Sequence, residues 1–187
     1  MQFIPQGLPD VLVIESKIDC DHRGYFVETF RQDKFEAALG YKVNFVQDNE
    51  SKSSKGVLRG LHLQLAPHAQ SKLVRVIEDT VLDDAVDIRQ GSPTFGQHVA
   101  VELSGVRKKK MFIPHGFVVL TDTATFAYKA DNYYSPECDR GLAFDDKDMN
   151  IDWILPTEAL SLSYKDTERS TLAELMGCYD YTINYYA

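Results

Sequence analysis

Positive charge is in short supply: 20 Lys and Arg against 28 Asp and Glu leave a formal net charge of −8 over 187 residues. Nucleic-acid binding rests on many Lys or Arg contacts to phosphate, so this balance argues against a nucleic-acid partner. Any anion the protein takes must be held by a local basic cluster working against the global field. Cysteine is also scarce. Cys20, Cys138 and Cys178 are widely spaced and odd in number, which argues against a disulfide framework and for a reducing compartment, the cytoplasm. No run of ~18 apolar residues exists, so no membrane span is expected. The opening MQFIPQGLPD has no basic region followed by an apolar stretch, so no secretory signal is expected. A G-x-S-x-G nucleophile elbow and a Gly-rich phosphate loop are both missing. So is an H-x-H pair, which would place two metal ligands on one face of a strand.

What is present reads as one domain, 1–187, with 44% hydrophobic residues to build a core. DVLVIESKID opens as a strand, and QDKFEAALG reads as a short helix closed by Gly40. Then come GVLRGLHLQ, KLVRVIED, TVLDDAVDIR, HVAVELS, KMFIP, GFVVLTD and TFAYKADNYY, short β-rich pieces separated by the turn signals APHAQS, RQGSPTFG, SGVRKK and TDTA. Many short strands with polar turns suggest a sandwich or barrel. The C-terminal quarter changes character, and TERSTLAELMG is its best helix candidate, with Gly177 as the stop. The expected fold is mainly β, a jelly-roll β-barrel with a few short helices. Arg107 to Lys110 reads as a solvated hairpin turn.

Two strands carry polar residues that need explaining. In TVLDDAVDIR, Val81, Asp83, Ala85 and Asp87 share one face while Leu82, Asp84, Val86 and Ile88 share the other. Acids on both faces imply either a polar cavity or an edge strand with solvated acids. In VLRGLHLQ, His62 sits among leucines as a metal ligand, a general base or a core histidine. Side-chain alternation places Arg59 and His62 on opposite faces, unless Gly60 hosts a bulge that brings both to one side. Burial among apolar neighbours would favour the neutral imidazole.

The blocks FVQDNESKSSKGVLRGLHLQ, AQSKLVRVI, DDAVDIRQGSPTFGQHVAVELS, HGFVVL, FAYKADNYYSPE and LSYKD, with DHRGYFVETF upstream, together resemble the dTDP-4-dehydrorhamnose 3,5-epimerases in order from Asp10 to Asp166. The resemblance implies a cupin-type jelly roll, a homodimer with exchanged strands, and no metal or cofactor. It implies a nucleotide-diphosphate sugar substrate whose carbon beside a C4 carbonyl is deprotonated on one face and reprotonated on the other. Such a reaction needs a base, an opposing acid and a cation at the enolate oxygen. The resemblance assigns His62 as base, Asp166 as its orienting carboxylate, Tyr128 as acid and Lys72 as the cation. It places Arg23, Phe26, Glu28, Gln47, Asn49, Arg59, His115, Tyr134, Asp139 and Lys165 at the substrate, with Phe26 and Tyr134 stacking on a pyrimidine and arginine forks on phosphate.

The sequence also departs from the family. IPHGFVVL is four residues shorter than the family's IP-E-G-F-A-H-G-F: His115 matches the histidine of that block with EGFA lost, or it occupies the earlier turn with the later histidine lost. VIEDTVLDDAV places Asp79 and Thr80 where the family has a glycine turn, and Asp84 where it has an apolar residue. Three functions fit: inversion at C3 and C5, inversion at one carbon or on another nucleotide sugar, and a non-catalytic sugar-nucleotide-binding cupin.

Overall fold

The computed structural model describes residues 1–114, the backbone of 117–122, and 124–186. His115 lies outside the described residues, as does the start of the shortened IPHGF stretch after Pro114. The strands are β1 (Gln2–Pro5), β2 (Leu12–Glu15), β3 (Ile18–Asp21), β4 (Gly24–Val27), β5 (Gln47–Lys52), β6 (Leu58–Gln64) and β7 (Lys72–Glu78). They continue as β8 (Thr80–Asp87), β9 (His98–Ser104), β10 (Lys110–Ile113), β11 (Phe117–Asp122), β12 (Thr125–Ala130) and β13 (Asp139–Gly141). Helix α1 spans Gln32–Leu39 and the single-turn α2 spans Tyr164–Thr167. No described helix is long and apolar enough to cross a membrane.

Eleven of these strands form two antiparallel sheets, and β3 and β4 pair as a separate hairpin. One has six strands in the order β1-β2-β10-β7-β12-β5; the other has five, β13-β6-β11-β8-β9. Their facing residues form the central core: Val74, Val76, Met111, Ile113 and Phe126 from the first sheet meet Val81, Ala85 and Leu103 from the second. The outer face of the five-stranded sheet, with Leu61, Leu63, Val86 and Ile88, is covered by Leu172, Leu175 and Tyr179 of the C-terminal segment. The outer face of the six-stranded sheet, with Leu12, Ile14, Leu73 and Phe112, is covered by Phe35 of α1. Phe35 is 1% exposed, a burial worth about 1.5–3 kcal/mol. Helix α1 ends as expected: Gly40 takes φ +80° and its N–H donates to Glu36 O. This is the mainly-β, cupin-like architecture anticipated above.

Three expectations need correcting. TERSTLAELMG is not a helix. Thr171 and Glu174 exchange capping hydrogen bonds, but Ser170 is already held in a bridge to Leu142 and Gly177 turns at φ +88°. Too few residues remain between them, and the segment closes as successive turns. Second, β8 is not an edge. It lies between β11 and β9, and Asp83, Asp84 and Asp87 are all 0% exposed. Third, Lys110 is not solvated. It begins β10, is 2% exposed, and donates to Ser16 Oγ at 2.7 Å. The glycine-free step from β7 to β8 is made by Asp79 alone, at φ +65°.

Candidate active site

The site starts with a change of phase in β6. Between the pairs Val119↔His62 and Thr121↔Arg59, β6 carries one residue more than β11. Gly60 absorbs the extra residue at φ +144°, a value that penalises any side chain. The bulge lets Arg59 and His62 line the same cavity, while Leu61 between them packs outward. That cavity, about 530 Å³, lies between the two sheets.

His62 Nε2 lies 2.5 Å from Asp166 Oδ1. The carboxylate's other oxygen accepts from Ser163 Oγ at 2.7 Å, and the Asp166 N–H donates back to Ser163 Oγ. Ser163 is therefore the N-cap of α2, and Asp166 its reciprocal partner three residues on. One turn of helix thus aims a carboxylate at an imidazole from a distant strand. Burial pushes the His62 pKa down, overcoming the Asp166 hydrogen bond, which acts in the opposite direction. Burial also acts to raise Asp166, but the bonds from His62 and Ser163 and the nearby Arg169 hold its carboxyl below the usual range. An ionised Asp166 accepts from Nε2–H and leaves the Nδ1 lone pair as the basic site.

The opposite wall belongs to the six-stranded sheet. Lys72 opens β7, and its Nζ donates to the His62 carbonyl at 3.4 Å and lies 5.8 Å from the Tyr128 ring centroid. Burial lowers the Lys72 ammonium to about 8, with Asp83 and Asp139 acting against the fall. Tyr128 is raised, mainly by burial, so it stays a proton donor at neutral pH. Asn49, opposite Tyr128 in the ladder, also lines the cavity, and its buried Nδ2 has no hydrogen-bond partner. A buried donor left unmade costs about 1–3 kcal/mol.

Other expected residues gather at the rim. Gln47 donates to Asn49 Oδ1 and accepts from the Tyr134 N–H. Arg59 is exposed and donates to Ser53 Oγ. Asp139 is paired with Lys165 and Arg169, and Lys165 reaches Tyr134 OH at 3.5 Å. Arg23, Phe26 and Glu28 do not line the cavity. Arg23 and Phe26 lie on the separate β3–β4 hairpin, with Phe26 71% exposed, so within one chain Phe26 does not join Tyr134. Three residues here were not singled out from the sequence for the site. Ser163 was signalled by its S-x-x-D spacing. Asp83, flagged only as an acid needing explanation, is a fully buried carboxylate with neither oxygen hydrogen-bonded. Arg169 carried no local signal. Among the described residues, no group of three or more His, Cys, Asp or Glu is placed to hold a metal ion.

Comparison with known proteins agrees with this geometry. The family model described as dTDP-4-dehydrorhamnose 3,5-epimerase matches residues 5–174. The dTDP-4-dehydrorhamnose 3,5-epimerase of Shigella flexneri is 53% identical over 170 residues, covering 89% of this chain and 93% of that protein. The enzyme of the same name from Escherichia coli K12 is 49% identical over 94% of this chain and 97% of its own. The crystal structure of dTDP-6-deoxy-D-glucose-3,5-epimerase from Legionella pneumophila Philadelphia 1, in complex with dTDP-4-keto-L-rhamnose, superposes with a TM-score of 0.90 at 43% identity, covering 97% of this chain and 99% of that one. The family model over residues 5–174 and relatives about half identical over most of their length show that this chain belongs to the dTDP-4-dehydrorhamnose 3,5-epimerase family.

Proposed function

We propose that the chain, 1–187 as one domain, is an isomerase that inverts C3 and C5 of a dTDP-linked 4-keto-6-deoxy hexose. The observation that carries this reading is the cavity with the His62–Asp166 pair on one wall and Lys72 and Tyr128 on the other. C3 and C5 both flank the C4 carbonyl, so one base and one oxyanion site serve both carbons. His62 Nδ1 takes the proton, and the electron pair passes to the carbonyl oxygen, where the Lys72 ammonium stabilises the enolate. Tyr128 returns a proton to the opposite face of the ring, which inverts the carbon. Tyr128 then regains its proton from solvent and His62 releases the one it took.

Arg59, Asn49, Gln47, Tyr134, Asp139 and Lys165 are proposed to hold the nucleotide diphosphate and sugar. Arg23 and Phe26 complete that set only if they come from a second copy. The isolated, exposed β3–β4 hairpin supports a homodimer in which each hairpin reaches the other subunit's cavity. A cytoplasmic enzyme of rhamnose-type deoxysugar synthesis, such as that supplying lipopolysaccharide O-antigen, is the setting proposed; the three free cysteines suit a reducing compartment.

The test is incubation with the 4-keto-6-deoxy sugar nucleotide in deuterated water, with deuterium located by NMR. Label at both C3 and C5 is expected. Label at one carbon reduces the function to a single inversion. Nucleotide binding with no enzyme-dependent label overturns catalysis altogether.

A further inference from the structure

Arg169 has no part in the scheme above, yet it is one of the most confined charges in the molecule. Its side chain is 8% exposed; Nη1 lies 3.4 Å from Asp139 Oδ2, and Nε lies 3.7 Å from Asp166 Oδ1. Nε and Nη2 make no hydrogen bond. Burying a guanidinium costs several kcal/mol unless carboxylates offset it, and here two lie within 4 Å of it. The fold also makes room for it. A Cβ at Gly141 would stand 2.6 Å from Arg169 Cδ and Nε, and 2.5 Å from the Leu61 carbonyl. The guanidinium is not required merely to fasten its segment to β13. The backbone already does that, through Ser170 N–H to Gly141 O and Ala143 N–H to Ser170 O.

The result is a line of alternating charge: Lys165, Asp139, Arg169, Asp166, His62. We propose that Arg169 is a positioning residue for the epimerisation: it keeps Asp166 ionised and aimed at His62, and through Asp139 it ties the base to Lys165. The role rests on His62 being the base. Arg169 also acts on His62 directly. Charged and titratable groups near the imidazole are Asp166, Arg169 and Lys165 from the α2 segment, Arg59 from its own strand, Lys72 from β7 and Tyr128 from β12. Burial, Lys72 and Arg169 oppose protonation of His62, while Asp166 favours it. Removing Arg169 takes one cation from beside the pair, so the pair binds a proton more readily and the base is lost at a higher pH.

The experiment uses the full-length enzyme and two readouts: the pH profile of kcat/KM with the 4-keto-6-deoxy sugar nucleotide, and an NMR titration of the His62 ring. Arg169→Gln is expected to move the acid limb of kcat/KM up by ~0.5 pH unit or more. That corresponds to a fall of ~3-fold or more well below the limb, larger than any fall on the plateau above it. The His62 titration moves in the same direction, and Arg169→Lys returns most of the shift. A uniform loss of rate with an unmoved limb would mark a merely structural residue and overturns the proposal; so does an unchanged profile. Should Arg169→Gln fail to fold, Arg169→Met serves in its place, and an unmoved His62 titration there has the same force. The NMR readout needs no turnover, so it separates failure of this role from failure of the base assignment, which His62→Ala tests.

Discussion

Among the described residues there are two His–Asp pairs, and their contrast shows what makes one of them fit for chemistry. His62 and Asp166 meet inside the cavity at 2.5 Å; His98 and Asp84 meet on adjacent strands of the five-stranded sheet at 3.0 Å. In the first pair every carboxylate oxygen has work: Oδ1 faces the imidazole and Arg169, and Oδ2 takes the Ser163 hydroxyl. In the second pair, Asp84 Oδ1 is buried and has no hydrogen-bond partner. The consequence is opposite in sign. Asp166 is held below the usual carboxylate range, whereas burial pushes Asp84 up to about 6. The first carboxylate stays ionised and can stabilise an imidazolium; the second is a burden on the fold near neutral pH. Neither His98 nor Asp84 lines the cavity. Identical residue types thus diverge according to the third group that meets the carboxylate.

Breaking the cavity pair should give the largest effect. His62→Ala is expected to lower turnover ~10³–10⁴-fold, with solvent deuterium incorporation falling in parallel and circular dichroism unchanged; exchange at the wild-type rate would remove His62 as the base. Asp166→Asn keeps the shape of the contact but offers a donor as well as an acceptor, so it loses control of the tautomer. A loss of ~10²–10³-fold in kcat is expected, with KM little changed. Lys72→Met sharpens the comparison from the other wall, removing the charge at the enolate for a loss of ~10²-fold or more. In the wild type the same ammonium titrates at about 8, so kcat/KM should decline above that pH, and the decline should vanish in the variant's residual activity.

The outer pair gives smaller effects of a different kind. Asp84 is protonated more readily folded than unfolded, its pKa rising from 3.8 to about 6. Its favourable contribution is therefore present below the unfolded value and is lost as pH rises through about 6. Replacing both partners, Asp84→Val with His98→Leu, is expected to stabilise the protein at pH 7 by about 1–4 kcal/mol, seen as a higher Tm. The gain should shrink toward pH 4; a gain constant with pH would contradict this account. His98→Gln should leave turnover within ~2-fold, the smallest effect of the set.

These contrasts also bear on how far the sequence could be read. The β-rich centre was legible because a period of two is local: KLVRVIED, HVAVELS and TFAYKADNYY each occupy the strand their alternation implies. The bulge was legible as one of two readings of Gly60, because Arg59 and His62 posed a parity problem that a bulge there resolves. The Asp166 partnership was not legible from local pattern, because 104 residues separate it from His62; only the family resemblance joined them. Arg169 escaped because its defining neighbour, Asp139, lies 30 residues upstream on another element. Lys110 escaped for a simpler reason. KMFIP marks Lys110 as the start of a strand, but a run of three lysines reads as solvent, and nothing local says that the third is buried. The helix expected over TERSTLAELMG failed in the same way, since the bridge at Ser170 is a tertiary contact overriding a sound local start.

The extra residue in β6 has an arithmetic consequence. Along a regular strand, two side chains share a face only when an even number of bonds in the chain of Cα atoms separates them. Arg59 and His62 are separated by an odd number and share one anyway, because Gly60 supplies the missing half-turn. Straightening the bulge without shortening β6 restores odd counting and turns one of the two out of the cavity, whatever its identity. Leu61 faces away, so its side chain is open to exchange for another apolar one. The strand is thus permissive at Leu61 and strict at Gly60, whose backbone brings the arginine and the histidine to one face.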